Sequence, residues 1–582
     1  MQQDMKICQN CKGNFTLDSQ DLDFLNKLKV PAPTWCQQCR FQRRALFRNE
    51  RKLFRNVDTD GNSIITLIPK ESGLKVYEDK KWFGGDWDPY EYGQEFDRSR
   101  PFLAQLYELS KKVPYPRSNM INDIRSEYCA NASSLKDCYL CFNSNGTEDS
   151  GYSNGLDASK FCYDCSHVKY AERCYESFWL TKCYDTHFST QCDDCVSVWF
   201  SKNCRGCNDC FGCVNLAKKS YCFFNEQLSK EEYQKRIAEL KLSTWDGLEN
   251  VKEQAYKFWL KFPVKYFQGV SNSNATGEYV THAKNIKNGY LIREGEDLAY
   301  VQYGQVPPLK DCMDTTITGS NTELQYETVT SGWGSVQLKY CWECWDGGLD
   351  FEYCMYSGRK SSHLFGCVGV GTGEYAILNK RYDKEEFLKL REEIKKHMDE
   401  MPYVDEQGRI YKYGEFFPPH FSPFAYNDTI AAEHFPLSGD EILTYGGKFY
   451  EVPKTEYNTT IKASDLPKTA EEATDDLLKE TIACLECGRA YRIISQELMF
   501  LKQNKLPLPH LCVDCRHKKR ISQRNKSKLY PRACMCNAND TYKNQGEHSH
   551  GTNTCPNTFE TSYSPDRSEI VYCGECYKEE VM

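Results

Sequence analysis

Fourteen cysteines between Cys129 and Cys222 are all separated by multiples of three, and they share that lattice with serine, threonine, valine and leucine. Runs of alternating character interrupt it, such as Val196 to Phe200 (VSVWF), and these read as short strands with one face buried. Cys141, Cys162, Cys183 and Cys204 lie 21 apart, as do Cys174 and Cys195, Cys192 and Cys213, and Phe178 and Trp199. A fixed period near 20 with small stacking side chains predicts a β-solenoid, in which each coil buries its inward residues against the next. Coils of short strands and tight corners are compatible with the three-residue rule.

The pattern is duplicated. Glu127, Tyr128, Asn131, Leu135 and Tyr139 return after a shift of 151 as Glu278, Tyr279, His282, Ile286 and Tyr290. Each copy runs into an amphipathic helix opened by a capping-box pair, Ser229 with Glu232 and Asp383 with Glu386. The organisation predicted is a zinc ribbon with a basic helix over 1–60, a mixed connector over 61–125, and solenoid copies over 126–226 and 267–380. A helical connector covers 227–266, and a helix with a proline- and aromatic-rich connector covers 381–483. A second ribbon with a basic tail spans 484–533 and a third zinc-binding module 534–582. The fold class is mixed and mainly β: a duplicated β-solenoid, period about 21, with capping helices and flanking zinc-ribbon or treble-clef-like modules.

The flanking modules rest on a second duplication. Cys8, Cys11, Cys36 and Cys39 recur as Cys484, Cys487, Cys512 and Cys515 after a gapless shift of 476, which also superposes Leu22 on Leu498, Phe24 on Phe500 and Arg40 on Arg516. Each set reads C-x2-C, an intervening stretch of identical length, then C-x2-C-R. The stretch between knuckles is helically spaced (Leu22, Leu25, Leu28), with a serine, Ser19 or Ser495, at the cap. Four thiolates in that spacing suit a tetrahedral Zn2+. A third site draws on Cys555, Cys573 and Cys576; its fourth ligand is assigned to Cys536 ahead of Cys534, with His548 and His550 as lesser candidates. Cages saturated by sulfur leave no place for a reacting water, so these are structural zinc sites and no catalytic residue is expected.

The remaining cysteines have another explanation. Cys204, Cys207, Cys210 and Cys213 superficially match an iron–sulfur run, but the last spacing is wrong and the closing proline is absent. In the second copy Val280, Ile292 and Ala376 align with Cys129, Cys141 and Cys222. A buried small hydrophobe survives that exchange; a ligand does not.

Charge adds the functional hint. The chain of 582 residues has a net charge of −8, yet residues 40–55 carry seven basic side chains and one acidic, and residues 516–532 eight basic and none acidic, leaving −22 for the rest. Arg40, Arg43, Arg44, Arg48 and Arg51, with Lys52, follow the first ribbon; Arg516, Lys518, Lys519, Arg520 and Arg524 follow the second. Arg40, Arg44 and Arg48 are equivalent to Arg516, Arg520 and Arg524 and lie four apart, on one helical face. Such rows suit a phosphate backbone; docking on the acidic solenoid is the competing destination. Carboxylates such as Asp164, Asp185, Asp193 and Asp194 suit a solvated solenoid face.

The stretches CLECGRAYRIISQELMFLKQNKLPLPHLCVDCRHKKR, FETSYSPDRSEIVYCGECY, YGEFFPPHFSPFAYNDT and EYAILNKRYDKEEF resemble a family of multi-zinc-ribbon proteins of candidate-phylum bacteria. The resemblance implies no particular activity. The expectation is a cytoplasmic, non-enzymatic zinc-binding scaffold that binds nucleic acid or a ribonucleoprotein through its basic helices, without a membrane segment. A protein-interaction scaffold using the solenoid faces is the alternative, and a β-helix enzyme acting on glycans is more distant.

Overall fold

The computed structural model describes residues 4–305, 307–451, 458–538 and 541–581. Two β-solenoids form its centre, as two separate stacks rather than one rod. In the first, parallel bridges join residues three apart along the chain each to the twelfth beyond it, for example Tyr139 with Gly151, Gly151 with Tyr163 and Tyr163 with Tyr175. Each coil therefore closes at the twelfth residue and not at the twenty-first.

The reason lies in the backbone. Asn143, Gly146, Asp149 and Tyr152 all have φ near +50°, and this left-handed turn recurs every third residue along the stack. Four such corners close a square coil with one triplet on each side. Because twenty-one is also a multiple of three, positions at that spacing both face inward, on different sides of different coils. Non-glycine residues resist the left-handed region, at about 1–2 kcal/mol each. Here every corner is clamped by ladder bonds: Tyr152 donates its N–H to the Tyr139 carbonyl (2.9 Å), and Gly151 donates to the Cys162 carbonyl (3.0 Å).

The same geometry dictates the cysteines. The inward residue of each triplet has an N–H facing the lumen, and it donates to the side chain one coil back: Cys162 to Ser150 Oγ, Cys165 to Ser153 Oγ, Cys213 to Ser201 Oγ. The thiols in turn donate to lumenal carbonyls, as Cys183 does to Thr181 and Cys192. A lumen this narrow takes mostly small side chains, with Leu135, Leu156 and Leu180 among the larger ones, and those with a donor or acceptor satisfy backbone groups that would otherwise be orphaned. All fourteen thiols are buried. Among the described residues, none of them belongs to a group that could hold a metal ion.

In the second solenoid Lys284 pairs with Glu296, but Leu309 pairs with Thr322, Val336 with Leu349 and Leu349 with Ser362, so most coils are one residue longer. The thirteen-residue coils take Leu338, Phe351 and Leu364 into their interior, and the shorter coil takes Ile286 and Leu298. Each stack ends in an antiparallel return, Glu226–Gln227 and Lys380–Arg381, which covers the last edge. Helices Lys230–Ala238 and Lys384–Glu400 follow, with Ser229 and Asp383 accepting the expected cap bonds. The connector over 395–483 packs Phe416, Phe417, Phe421 and Tyr426 into the largest core cluster.

Both ribbons have the expected parts. The first has a hairpin (Asp4–Ile7 with Asn14–Leu17) and helices Ser19–Leu28 and Gln37–Ala45; the second has Ile482–Ala483 with Ala490–Tyr491 and helices Ser495–Gln503 and Val513–Ser522. The serine caps are not formed. Asp18, one residue earlier, caps the first helix in a capping box with Asp21, and Ile494 precedes Ser495 without a side-chain bond.

Candidate metal centres and the cleft they frame

Each ribbon brings its four sulfurs within 4.8 Å of one another: Cys8, Cys11, Cys36 and Cys39, then Cys484, Cys487, Cys512 and Cys515. The hairpin presents one knuckle and the first turn of the second helix presents the other. Backbone amides aim at the sulfurs, Cys36 N–H on Cys8 Sγ and Cys512 N–H on Cys484 Sγ, both at 3.2 Å. Burial pushes the Cys484 thiol up, but amides of Cys487, Cys512 and Glu486 more than offset it and hold it at about 7. That favours the thiolate at Cys484, while burial raises Cys512 to about 11 and raises Cys515 as well.

At the third module Cys534, not Cys536, completes the set with Cys555, Cys573 and Cys576, all four buried. The cause is a hairpin, Tyr530–Ala533 with Thr558–Thr561, which registers Ala533 on Thr558 and so places Cys534 beside the Cys555 knuckle. Cys536 falls in a different group, with His548, His550 and Cys576.

The arginine rows go inward. Arg40, Arg43, Arg44 and Arg48 are at most 2 % exposed. Arg40 holds Asp314 at 2.7 Å and Arg44 holds the other oxygen of the same carboxylate at 3.2 Å; Arg43 reaches Glu327 (2.8 Å) and Glu415 (3.1 Å), and Arg48 reaches Glu343 (2.6 Å). The second ribbon repeats the device. Arg516 and Arg520 straddle Asp164 at 2.6 and 3.1 Å, and Arg524 pairs with Glu433 at 3.2 Å. Arg44 also donates to Thr316 and Arg520 to Ser166, two positions beyond each aspartate. Tyr300 reaches Asp21 as Tyr152 reaches Glu497.

The nucleic-acid face expected of Arg40, Arg43, Arg44, Arg48, Arg516, Arg520 and Arg524 is thus corrected: opposite charge within the chain claims them before solvent does. Arg51 is half-buried, 3.9 Å from Asp514. Lys518 and Lys519 remain exposed on the same helix as Arg516. Asp164 is likewise no solvated residue, being fully buried.

The pairing is crossed. The N-terminal ribbon precedes the first solenoid yet docks on the second, and the C-terminal ribbon follows the second yet docks on the first. The stacks touch where Trp179 meets Tyr279 (ring centroids 5.6 Å). Arg293 and Gln305 also cross to Thr181 and His167, and beside these contacts the stacks part to leave a cleft of about 450 Å³, lined by Asn119 and His167 of one stack and by Arg293, Thr318 and Trp333 of the other, with Arg48 and Glu50 between.

Three buried polar atoms in these walls have no partner among the described residues: Asn119 Oδ1, His167 Nε2 and Thr318 Oγ1. Arg293 is 7 % exposed, lies 4.2 Å over the Trp179 ring, and donates only to Thr181 Oγ1 and the His167 carbonyl. Burial lowers its pKa to about 10, and no described carboxylate lies within ion-pairing distance. Sequence reading missed these residues because they sit at corners and outer positions, aligned at a twelve-residue repeat that the longer frame scrambles.

Two buried histidines tie this region to pH. Burial, aided by Arg524 nearby, lowers His167 and His434 each to about 3. An unfolded histidine titrates near 6.5, so acidification protonates the unfolded chain first and stability falls as pH drops from about 6.5 toward 3. Between about pH 7.5 and 5.5 the expected loss is about 1.4 kcal/mol per histidine. Urea unfolding of wild type and His434→Gln checks this: the variant should lose part of the slope, and identical pH dependence would contradict the assignment.

No family model matches the chain, and no curated protein matches it. Among solved structures, a crystal structure from Desulfovibrio desulfuricans G20 described as an acetyltransferase is 11% identical, with 46% of this chain and 69% of that chain covered. Its TM-score of 0.10 carries no argument. Among the described residues no helix is long and apolar enough to cross a membrane.

Proposed function

We propose that this protein is a non-enzymatic scaffold in which zinc-locked ribbons clamp two solenoids and so shape the cleft between them, and that the cleft is its binding site. Zinc is the metal that fits the all-sulfur cages best, being content with four soft ligands and bringing no redox chemistry. Reduced cages of this kind belong in a reducing compartment, and the reading therefore includes a cytoplasmic location.

The observation that carries the binding site is that three of the unpartnered buried groups scattered through the fold line this one cleft, beside Arg293. Native interiors satisfy nearly all such atoms, and those left over need an explanation. A ligand rich in hydroxyls meets an amide oxygen, an imidazole nitrogen and a threonine hydroxyl equally well. Arg293, buried with Asp157, Asp193 and Glu294 near but none in contact, leaves a place for one anionic group on it. Trp333, 58 % exposed at the rim, offers a ring face. A sugar acid has all three features. The basic helices, now occupied with internal carboxylates, do not support nucleic-acid binding; Lys518 and Lys519 are what remain for it.

Isothermal titration calorimetry with galacturonate and glucuronate oligosaccharides, set against neutral glucose oligosaccharides, tests the reading. Uronates should bind, and Arg293→Gln should weaken them about 10- to 100-fold, as loss of one charged hydrogen bond of about 1.5–3 kcal/mol implies. No binding by any of these sugars, or equal binding by the variant, defeats it.

A further inference from the structure

The third metal module holds more ligands than one ion can use. Cys534, Cys555, Cys573 and Cys576 form one set of converging sulfurs, and Cys536, His548, His550 and Cys576 form another, each with its ligand atoms within 4.8 Å. Only Cys576 belongs to both. We propose that this module binds two zinc ions bridged by the Cys576 thiolate, the first in a four-sulfur cage and the second in a two-cysteine, two-histidine site.

The histidines carry the argument. His548 turns Nδ1 toward Cys536 Sγ (3.4 Å), with a Glu579 carboxylate oxygen at the same distance, while its other nitrogen meets Glu580 at 3.0 Å. His550 turns Nε2 toward Cys576 Sγ (3.3 Å), while its Nδ1 meets the Asn553 carbonyl at 2.7 Å. A ligating imidazole has this arrangement: one nitrogen for the metal, the other N–H held by a carboxylate or carbonyl that fixes tautomer and ring orientation. Two histidines in one short loop both adopt it. Zinc bonds sulfur and imidazole nitrogen at tetrahedral angles over short distances, and the nitrogen–sulfur separations here match an edge of such a tetrahedron around one ion.

The surrounding shell is built to match. Asn544 donates its amide to Cys536 Sγ at 3.1 Å, and Asn557 points its amide at Cys573 Sγ at 3.5 Å. Glu580, besides holding His548, accepts from Tyr542 and from the amides of Gln545 and Gly546, which anchors the loop carrying both histidines. Charge favours double loading. One ion in the four-sulfur cage leaves a net −2 within a buried cluster, with Cys536 still protonated. A second ion lets Cys536 ionise and brings the five thiolates and two ions to −1, a smaller charge to keep out of water.

Elemental analysis of the purified full-length chain, saturated with zinc and then desalted, is the direct test. With one ion in each ribbon, wild type should hold four zinc ions per chain. H548A/H550A and Cys536→Ser should each hold three, and Cys576→Ser, which removes the bridge, should hold two. Three ions in wild type, or four in the double-histidine variant, overturns the proposal. A readout on wild type alone guards against variants that fail to fold: after cobalt substitution, two ions sharing a thiolate are magnetically coupled. The paramagnetic resonance intensity should then fall below that of four isolated ions, and full intensity rules out the bridge.

Discussion

Stripping the metal proposed for the cages with a chelator should unfold both ribbons and undock them from the solenoids together. Each ribbon is a hairpin and two short helices with little core of its own, and metal binding supplies about 10 kcal/mol or more to folds of this size. The second helix of each ribbon begins at a ligand, Cys36 or Cys512, so the cage also sets where the arginine row points. Without it, Arg40, Arg44, Arg516 and Arg520 lose the alignment that brings them onto Asp314 and Asp164. The two stacks would then be held only by their direct contacts, such as Trp179 and Phe178 on Tyr279 and the bonds of Arg293 and Gln305 to Thr181 and His167. Small-angle scattering should show expansion on chelation, and hydrogen exchange should show lost protection in both ribbons before the coils. A chelated protein with unchanged dimensions and ribbon protection contradicts this.

Asp314→Ala should be among the most damaging single substitutions. It removes one carboxylate and leaves Arg40 and Arg44, both fully buried, without the counter-charge they share. Breaking a buried pair from one side costs about 3–5 kcal/mol, and here one change strips Arg40 of its carboxylate and leaves Arg44 only Glu327, at 3.8 Å. Asp164→Ala should act in the same direction at the other ribbon but less severely, since Arg520 loses its carboxylate while Arg516 keeps Glu497 at 2.8 Å. Replacing the whole cluster by apolar residues of similar volume should be far milder, because the desolvation cost leaves with the charges. Denaturant unfolding of D314A, of D164A and of a triple Asp314/Arg40/Arg44 apolar variant measures this. Near-wild-type stability for D314A would mean that the ion cluster does not hold the ribbon in place.

The duplication gives these clusters a common logic. Asp314 with Thr316 and Asp164 with Ser166 occupy matching places on their solenoids, as Arg40 with Arg44 and Arg516 with Arg520 do on their ribbons. An ancestral ribbon docked on an ancestral solenoid would leave this record once duplicated. The crossed connectivity then makes each half of the chain hold the other, and the cleft between the stacks becomes a fixed shape.

How much of this was legible follows from the range of each constraint. Cages built from C-x2-C knuckles are short-range, and the shift of 476 picked out both four-sulfur groups of the ribbons. The inward lattice of three is also local, being one triplet of backbone with a left-handed corner at Asn143, Gly146 or Asp149. The coil length was not legible. Inward positions repeat every third residue whatever multiple of three closes the coil, and only hydrogen-bond register separates the possibilities. Cys534 and Cys536, with one residue between them, differ by which of two groups each enters, and hairpin register decides that.

The amino-acid sequence by itself settled which local units form: thiol cages, triplet corners, capped helices, and two basic rows against an acidic remainder. Tertiary structure alone decided where the arginines go and what lies between the solenoids. Spacing along a chain governs geometry over a few residues. The partner of a buried charge is chosen among carboxylates hundreds of positions away, by which one the fold brings into contact and removes from water.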